Sequence, residues 1–272
     1  MTSMTHASSA HATRPWQAEV AVLRVTLVSE AGAEAEPVSA RAVHAALLRL
    51  VEQRDSFLSD AVHKASFNPI AIWPDEPACG HAPAHSTNRQ SWLIGLLHHR
   101  VTAVFTEALI EAAVAGESIA LDWQRFRIAA VTPAGPALTY AELLARAQPD
   151  SELSLRFITP VIVSRKSDTL RSPEPRLIFG GLLKRWNALS GAPLDLNEPT
   201  IVARVHLGET HLAHVDRELF NHPFIGFAGT ASFRIDGDDA FRQGVCALAA
   251  YVRFCGTGAK TAMGMGRTER ID

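Results

Sequence analysis

The densest run of chemically useful residues is Gly256-Thr257-Gly258-Ala259-Lys260-Thr261-Ala262-Met263-Gly264-Met265-Gly266. Glycines at 256, 258, 264 and 266 permit positive φ angles and leave backbone N–H groups to face an anion, and Lys260 adds a point charge among them. That is the chemistry of a phosphate cradle. The Walker pattern GxxxxGK[ST] is absent, and a Rossmann reading needs a βαβ unit that does not follow here. The plain alternative is a structural turn in which glycine permits close backbone approach. A second constellation, Cys79-Gly80-His81 and His85 followed by His98-His99, offers zinc-ligand types. It lacks a paired CxxC, and His98 and His99 fall on an expected strand that sends neighbours to opposite faces, so no metal site is assigned. Positive charge gathers between residues 151 and 190, where Arg156, Arg165, Lys166, Arg171, Arg176, Lys184 and Arg185 face only Glu152, Asp168 and Glu174. Arg165, Lys166 and Arg171, in a polar loop, are the phosphate contacts this segment offers; Lys184 and Arg185 read as a solvated helix face. Lys260, Arg267 and Arg270 extend the track.

The elements that position these groups come in two similar series. Val20 to Val28 is a buried strand, followed by a helix capped by Ser39 with Val43, Leu47, Leu50 and Val51 on its apolar face. A short helix, Ser56 to Lys64, stops before Phe67-Asn68-Pro69, where the proline disfavours helix. A Pro- and His-rich loop spans residues 74–90, then a strand Trp92 to Val101, a helix Thr106 to Ala115 closed by Gly116, and a strand Arg125 to Val131. The second series opens with a strand, Ser154 to Ile158, and a helix, Pro175 to Leu189, with proline in its first turn. Strands follow at Ile201 to Leu207, His211 to Val215 and Ala231 to Ile235, then a helix Ala240 to Phe254 capped by Asp238 or Asp239, and a last strand around Met263 to Thr268. The expected fold is α+β, two tandem ferredoxin-like (RRM-like) β-α-β-β-α-β domains. The expected division is a flexible tail over residues 1–15, an N-terminal domain over 16–140 and a C-terminal domain with the Gly-rich loop over 151–272, joined within the Pro- and Ala-rich segment 133–151.

Composition bounds the partners. The 272 residues carry 26 basic and 28 acidic side chains and 47% hydrophobic residues, enough for one large core or two small ones. A net charge of -2 excludes histone-like attraction to polyanions and leaves only a local basic surface. Cys79, Cys246 and Cys255 are too few and too scattered for a disulfide framework, which points to a reducing compartment. With no signal-peptide core and no apolar run of about 18 residues, a cytoplasmic protein without membrane contact is expected.

The Gly-x-Gly, lysine-containing spacer, Gly-x-Gly arrangement after a helix resembles the signature of the CRISPR-associated RAMP superfamily. More narrowly, it resembles the precursor-crRNA processing endoribonucleases. Val43-His44-Ala45-Ala46-Leu47-Leu48, His63, Leu155-Arg156-Phe157-Ile158-Thr159-Pro160, the helix Pro175 to Asn187 and Gly226-Phe227-Ala228-Gly229-Thr230 fit the same family, from about residue 20 to about residue 268.

The resemblance implies a metal-independent, cofactor-free RNase that cuts once within each CRISPR repeat. The 2′-hydroxyl attacks the adjacent phosphate and leaves a 2′,3′-cyclic phosphate and a 5′-hydroxyl. Such chemistry needs a base, an acid, and donors at the developing phosphorane. The resemblance assigns His63 as catalytic, base or acid, since imidazole serves either role near neutral pH. A surface histidine interacting with a helix C-terminus is the plain reading of the same residue. His44 is the second catalytic candidate, although beside core position Val43 it also reads as a packing residue. Many relatives carry a lysine before a Pro-Phe pair after the histidine, where this chain has Phe67-Asn68-Pro69. The charge role then falls to Lys64 or Lys260, or is missing. The implied RNA-binding set is Gly256, Gly258, Lys260, Gly264, Gly266, Arg165, Lys166 and Arg171. The implied partners are repeat RNA and CRISPR effector-complex subunits, with the protein a monomer or homodimer. The alternative is a non-cleaving RAMP subunit that holds guide RNA. A small-molecule enzyme on the same fold finds no convergent acid-base set.

Overall fold

The computed structural model describes residues 18–31, 35–75, 88–165, 168–219 and 222–271. The first series is β1 (Ala21–Ser29), α1 (Ala40–Glu52), α2 (Ser56–Lys64), β2 (Ile70–Pro74), β3 (Arg89–Leu96), α3 (His99–Ala115), β4 (Ser118–Leu121) and β5 (Gln124–Pro133). Its antiparallel sheet has the order β2-β3-β1-β5-β4. Without edge strand β4 this is the ferredoxin-like order, with the first strand central. A short helix, α4 (Tyr140–Arg146), leads to the second series: β6 (Glu152–Val161), the small hairpin β7 (Val163–Arg165) and β8 (Asp168–Leu170), α5 (Pro175–Leu189), α6 (Glu198–Arg204), β9 (Val205–Leu219), β10 (His222–Ile235), α7 (Asp239–Cys255), a 3-10 turn (Thr261–Met263) and β11 (Thr268–Ile271). The order β11-β6-β10-β9, all antiparallel, repeats the pattern. The fold is two tandem ferredoxin-like units.

Local chemistry sets the helix starts. The Ser39 hydroxyl accepts from the Ala42 amide at 3.1 Å, the Asp55 carboxylate from Leu58 at 2.9 Å, and Asp238 from Phe241 at 2.9 Å. Gly116, at φ 63°, closes α3 in the left-handed conformation. One core lies between the first sheet and its helices, around Leu23, Leu27, Leu47, Phe105 and Phe126. The second is centred on α7 and α5, and it also takes in Ala71, Trp73, Leu93 and Leu97 from the first series. There the buried Tyr140 hydroxyl donates to Leu97 O at 2.8 Å and lies 3.0 Å from the Tyr251 hydroxyl, so the two series share a packed, hydrogen-bonded seam. Burial raises the pKa of both phenols and holds them protonated.

Four expectations change. The expected strand Ile201 to Leu207 is helical to Arg204, because the Asn197 side chain accepts from Thr200 at 2.9 Å and Pro199 occupies the first turn. The strand expected to run to Val101 ends at Leu96, and α3 begins at His99, because Val101, Phe105, Ala108, Leu109 and Ala112 form one buried helical stripe. The connecting segment 133–151 contains α4, nucleated by a capping box between Thr139 and Glu142. The strand placed around Met263 to Thr268 is a 3-10 turn and a coil, with pairing only from Thr268.

Candidate functional site

The Gly-rich loop begins where the Gly256 amide closes α7 on Val252 O at 2.7 Å, and it runs between the two sheets. Thr257 N donates to Gly266 O at 2.8 Å, Ala259 N to Ile162 O at 2.9 Å, Gly264 N to Ile72 O at 3.1 Å and Gly266 N to Pro160 O at 2.9 Å. The indole N–H of Trp73, in β2, donates to Met265 O at 2.8 Å. Most of the amides expected to face an anion are therefore committed within the chain. Among the described residues, the loop amides left without a protein partner are those of Gly258, Lys260, Thr261 and Ala262. Close approach explains two of the glycines. A Cβ on Gly256 (φ 66°) would sit 2.6 Å from both Gly266 O and Trp73 Cζ2, and one on Gly266 (φ 69°) would sit 2.0 Å from Thr257 O. Lys260 holds φ 62°, a left-handed conformation unusual for a residue with a Cβ, with its side chain exposed.

Helices α1 and α2 bring the two candidate histidines together. The Ser59 hydroxyl donates to Leu48 O at 3.0 Å and pins the pair. His63 lies exposed in the last turn of α2. His44 is buried, 8% exposed, and its Nε2 has no hydrogen-bond partner. Burial lowers the His44 pKa, and a charge on neighbouring His63 lowers it further, so both causes favour the neutral form of His44. Lys64 pairs with Asp60 at 2.7 Å on its own helix, which leaves Lys260 as the better free cation for the loop.

The chain leaving α2 meets the loop. Phe67 borders a cleft of about 220 Å³ whose other walls are Gly256, Gly258 and Ala259 of the loop, Ile162 and Val163, and the face of α5. Most of the charges on α5 are structural: Arg176 and Lys184 both hold Glu198, at 2.6 and 2.9 Å, and Arg185 donates to Cys255 O at 2.6 Å. The solvated-face reading of Arg185 is thereby corrected, since it is half-buried and ties α5 to the end of α7. Burial pushes the Cys255 thiol up to about 11, so it is an inert core group. Arg267 donates to Asp75 O at 2.7 Å and Arg270 pairs with Asp150, so both anchor the fold. Arg171 is exposed. Lys166, the Arg165 side chain, Cys79, His81 and His85 lie outside the described residues. His98 caps α3 and His99 opens it, with ring centroids 4.3 Å apart, so the strand placement of this pair is corrected. Among the described residues no group of three His, Cys, Asp or Glu could hold a metal ion, and no helix is long and apolar enough to cross a membrane. Sequence reasoning missed Trp73, whose indole reads as ordinary core until its partner 192 positions away is known.

The sequence profile of CRISPR-associated endoribonuclease Cas6 matches residues 155–268. The CRISPR-associated endoribonuclease Cas6 of Mycobacterium tuberculosis is 26% identical over 201 residues, covering 71% of this chain and 62% of the relative. The chain thus spans less than two thirds of the length of that curated relative. A Cas6 (TTHB231) product complex superposes with a TM-score of 0.79 at 25% identity, covering 93% of this chain and 100% of that one. A Cas6 (TTHA0078) product complex superposes with a TM-score of 0.73 at 24% identity, covering 93% of this chain and 99% of that one. A RAMP protein binding different RNA substrates shares the fold with a TM-score of 0.59 at 10% identity, covering 93% of this chain and 100% of that one. Profile, relative and architecture agree: the chain is similar to CRISPR-associated endoribonuclease Cas6 proteins, in sequence over residues 155–268 and in fold over 93% of its length.

Proposed function

We propose that this protein is an endoribonuclease that cuts CRISPR precursor RNA within its repeats, without a metal ion. The observation that carries this reading is the meeting of two elements at one cleft: the segment leaving α2, whose Phe67 lies four residues past His63, and the glycine loop, whose Ala259 precedes Lys260. In the reaction the 2′-oxygen forms a bond to the adjacent phosphorus as its proton passes to a base. The bond from phosphorus to the 5′-oxygen breaks as that oxygen receives a proton. His63 serves one of these transfers. Lys260 and the unpartnered amides beside it are the donors for the phosphorane. Gly256, Gly258, Gly264 and Gly266 hold the loop in shape, and Arg165, Lys166 and Arg171 contact phosphates farther along the RNA. His44, buried behind His63, is the second catalytic candidate. The Cas6 structures similar to this chain include product and substrate-mimic complexes, which supports repeat RNA as the ligand.

The test is incubation with the repeat RNA of the source genome in EDTA, followed by mapping of both ends. A single cut leaving a 2′,3′-cyclic phosphate and a 5′-hydroxyl is expected. Retention of uncut RNA would identify instead a RAMP subunit that holds guide RNA among effector-complex partners, and activity lost in EDTA would contradict the metal-free mechanism.

A further inference from the structure

The cleft beside the loop has the wrong floor for a phosphate site. Leu177 and Leu182 of α5 and Ile162 and Val163 beyond β6 make most of it apolar, the one charged side chain in the lining, Arg185, donates to Cys255 O, and Phe67 forms one wall with 37% of its surface exposed. Phe67 is held by a fixed turn, because the Asn68 side chain accepts from the Ile70 amide at 3.0 Å as the chain enters β2. At about 220 Å³ the cleft is smaller than the roughly 300 Å³ at which pockets for drug-sized ligands begin, so it suits one flat ring system and not a helix.

Gly181 supplies the second observation. It lies inside α5, where glycine is weaker than alanine, and it lines this cleft. A Cβ at Gly181 would meet nothing within 4 Å, whereas at Gly180 it would meet Glu198 at 3.6 Å. Gly181 also has no positive φ. Neither packing nor backbone conformation within the chain requires a glycine at 181; a ring lying flat on the helix at that point would. The lining supplies a polar group of the kind a nucleotide needs beside its base, the unpartnered Gly258 amide, and the exposed Lys260 follows directly on Ala259, the last loop residue of that lining.

We propose that the cleft is a nucleobase pocket. The base of one nucleotide next to the scissile phosphate leaves the RNA stack, lies over Gly181 and stacks against Phe67. This inference rests on the proposed function and adds a subsite that selects which nucleotide enters. Stacking on an aromatic wall tolerates any base, so the selectivity comes from the base edge that meets the Gly258 amide.

The test measures binding of the source genome's repeat RNA, carrying one 2′-deoxy nucleotide at the cut site so that it is not cleaved, to full-length protein in EDTA. Phe67→Ala is expected to weaken binding about 10-fold while Phe67→Trp retains it. Gly181→Leu is expected to weaken binding similarly with a melting temperature no lower than wild type, since leucine is the better helix former. In a scan of abasic substitutions, one position should cost wild type the same factor and cost Phe67→Ala nothing further. Wild-type affinity in both Phe67→Ala and Gly181→Leu, or additive losses at every abasic position, would overturn the pocket alone. Failure of the wild-type protein to bind repeat RNA would overturn both the pocket and the proposed function. A Gly181→Leu protein that binds RNA normally but loses a protein partner would assign the cleft to that partner and overturn the base pocket.

Discussion

The amide of Thr257 donates to the carbonyl of Gly266 at 2.8 Å, and a Cβ on Gly266 would fall 2.0 Å from the Thr257 oxygen. The two arms of the loop are thus joined back to back with no room for a side chain. The obstacle is backbone, which cannot swing aside. Gly266→Ala combines that collision with left-handed strain of about 1–2 kcal/mol, so the melting temperature should fall by several degrees and repeat affinity with it. A melting curve that overlays wild type would remove the steric role.

His63→Ala should slow cleavage by about 100-fold or more while changing repeat affinity less than about 2-fold, because a proton-transfer group contributes to the barrier and little to ground-state binding. Single-turnover cleavage at saturating protein, beside a filter-binding titration, separates the two. Should His63→Ala cut at the wild-type rate, the assignment passes to His44.

Lys260→Ala should weaken repeat binding and flatten the plot of log K against log salt by about 0.7 if the lysine neutralises one phosphate of a single strand. An unchanged slope would make Lys260 a structural residue that stabilises its turn. Arg171→Ala should flatten the slope by a similar amount, whereas Arg185→Ala, which removes a bond to Cys255 O, should act on stability instead.

His44 makes stability depend on pH. Its folded pKa lies below the ordinary 6.5, so between those values the unfolded chain binds a proton that the folded chain refuses. The contribution is complete above pH 6.5 and is lost as pH falls toward the folded pKa. His44→Phe keeps an apolar ring in the buried site and removes the unpartnered Nε2, so urea-unfolding free energies measured from pH 7.5 down to 5 should slope less steeply than in wild type. Parallel slopes for the two proteins would sink the assignment.

Much of this architecture was legible from periodicity and end signals. The helices at Ala40–Glu52 and Pro175–Leu189 announce themselves through Ser39 and Pro175, and both series repeat the same order. Residue type misled where a helix cap decides. Ile201 and Val202 read as strand by type, yet Asn197 starts a helix beneath them. The candidate site was half legible. The glycine spacing marks the loop, but which amides remain available depends on Ile162, Pro160 and Ile72, carbonyls with no sequence signature. Nothing local says that His44 and His63, on successive helices, are electrostatic neighbours, or that Phe67 walls a cleft with a helix more than a hundred positions later.

The bond from the Trp73 indole to Met265 O joins positions 192 apart. Closing a loop of that length costs chain entropy, so this contact is expected to form after nearer ones have already confined the chain. With Trp73 1% exposed, the loop is then fastened to the core itself. On refolding, the helix and sheet signal should recover before the burial of Trp73 followed by its fluorescence.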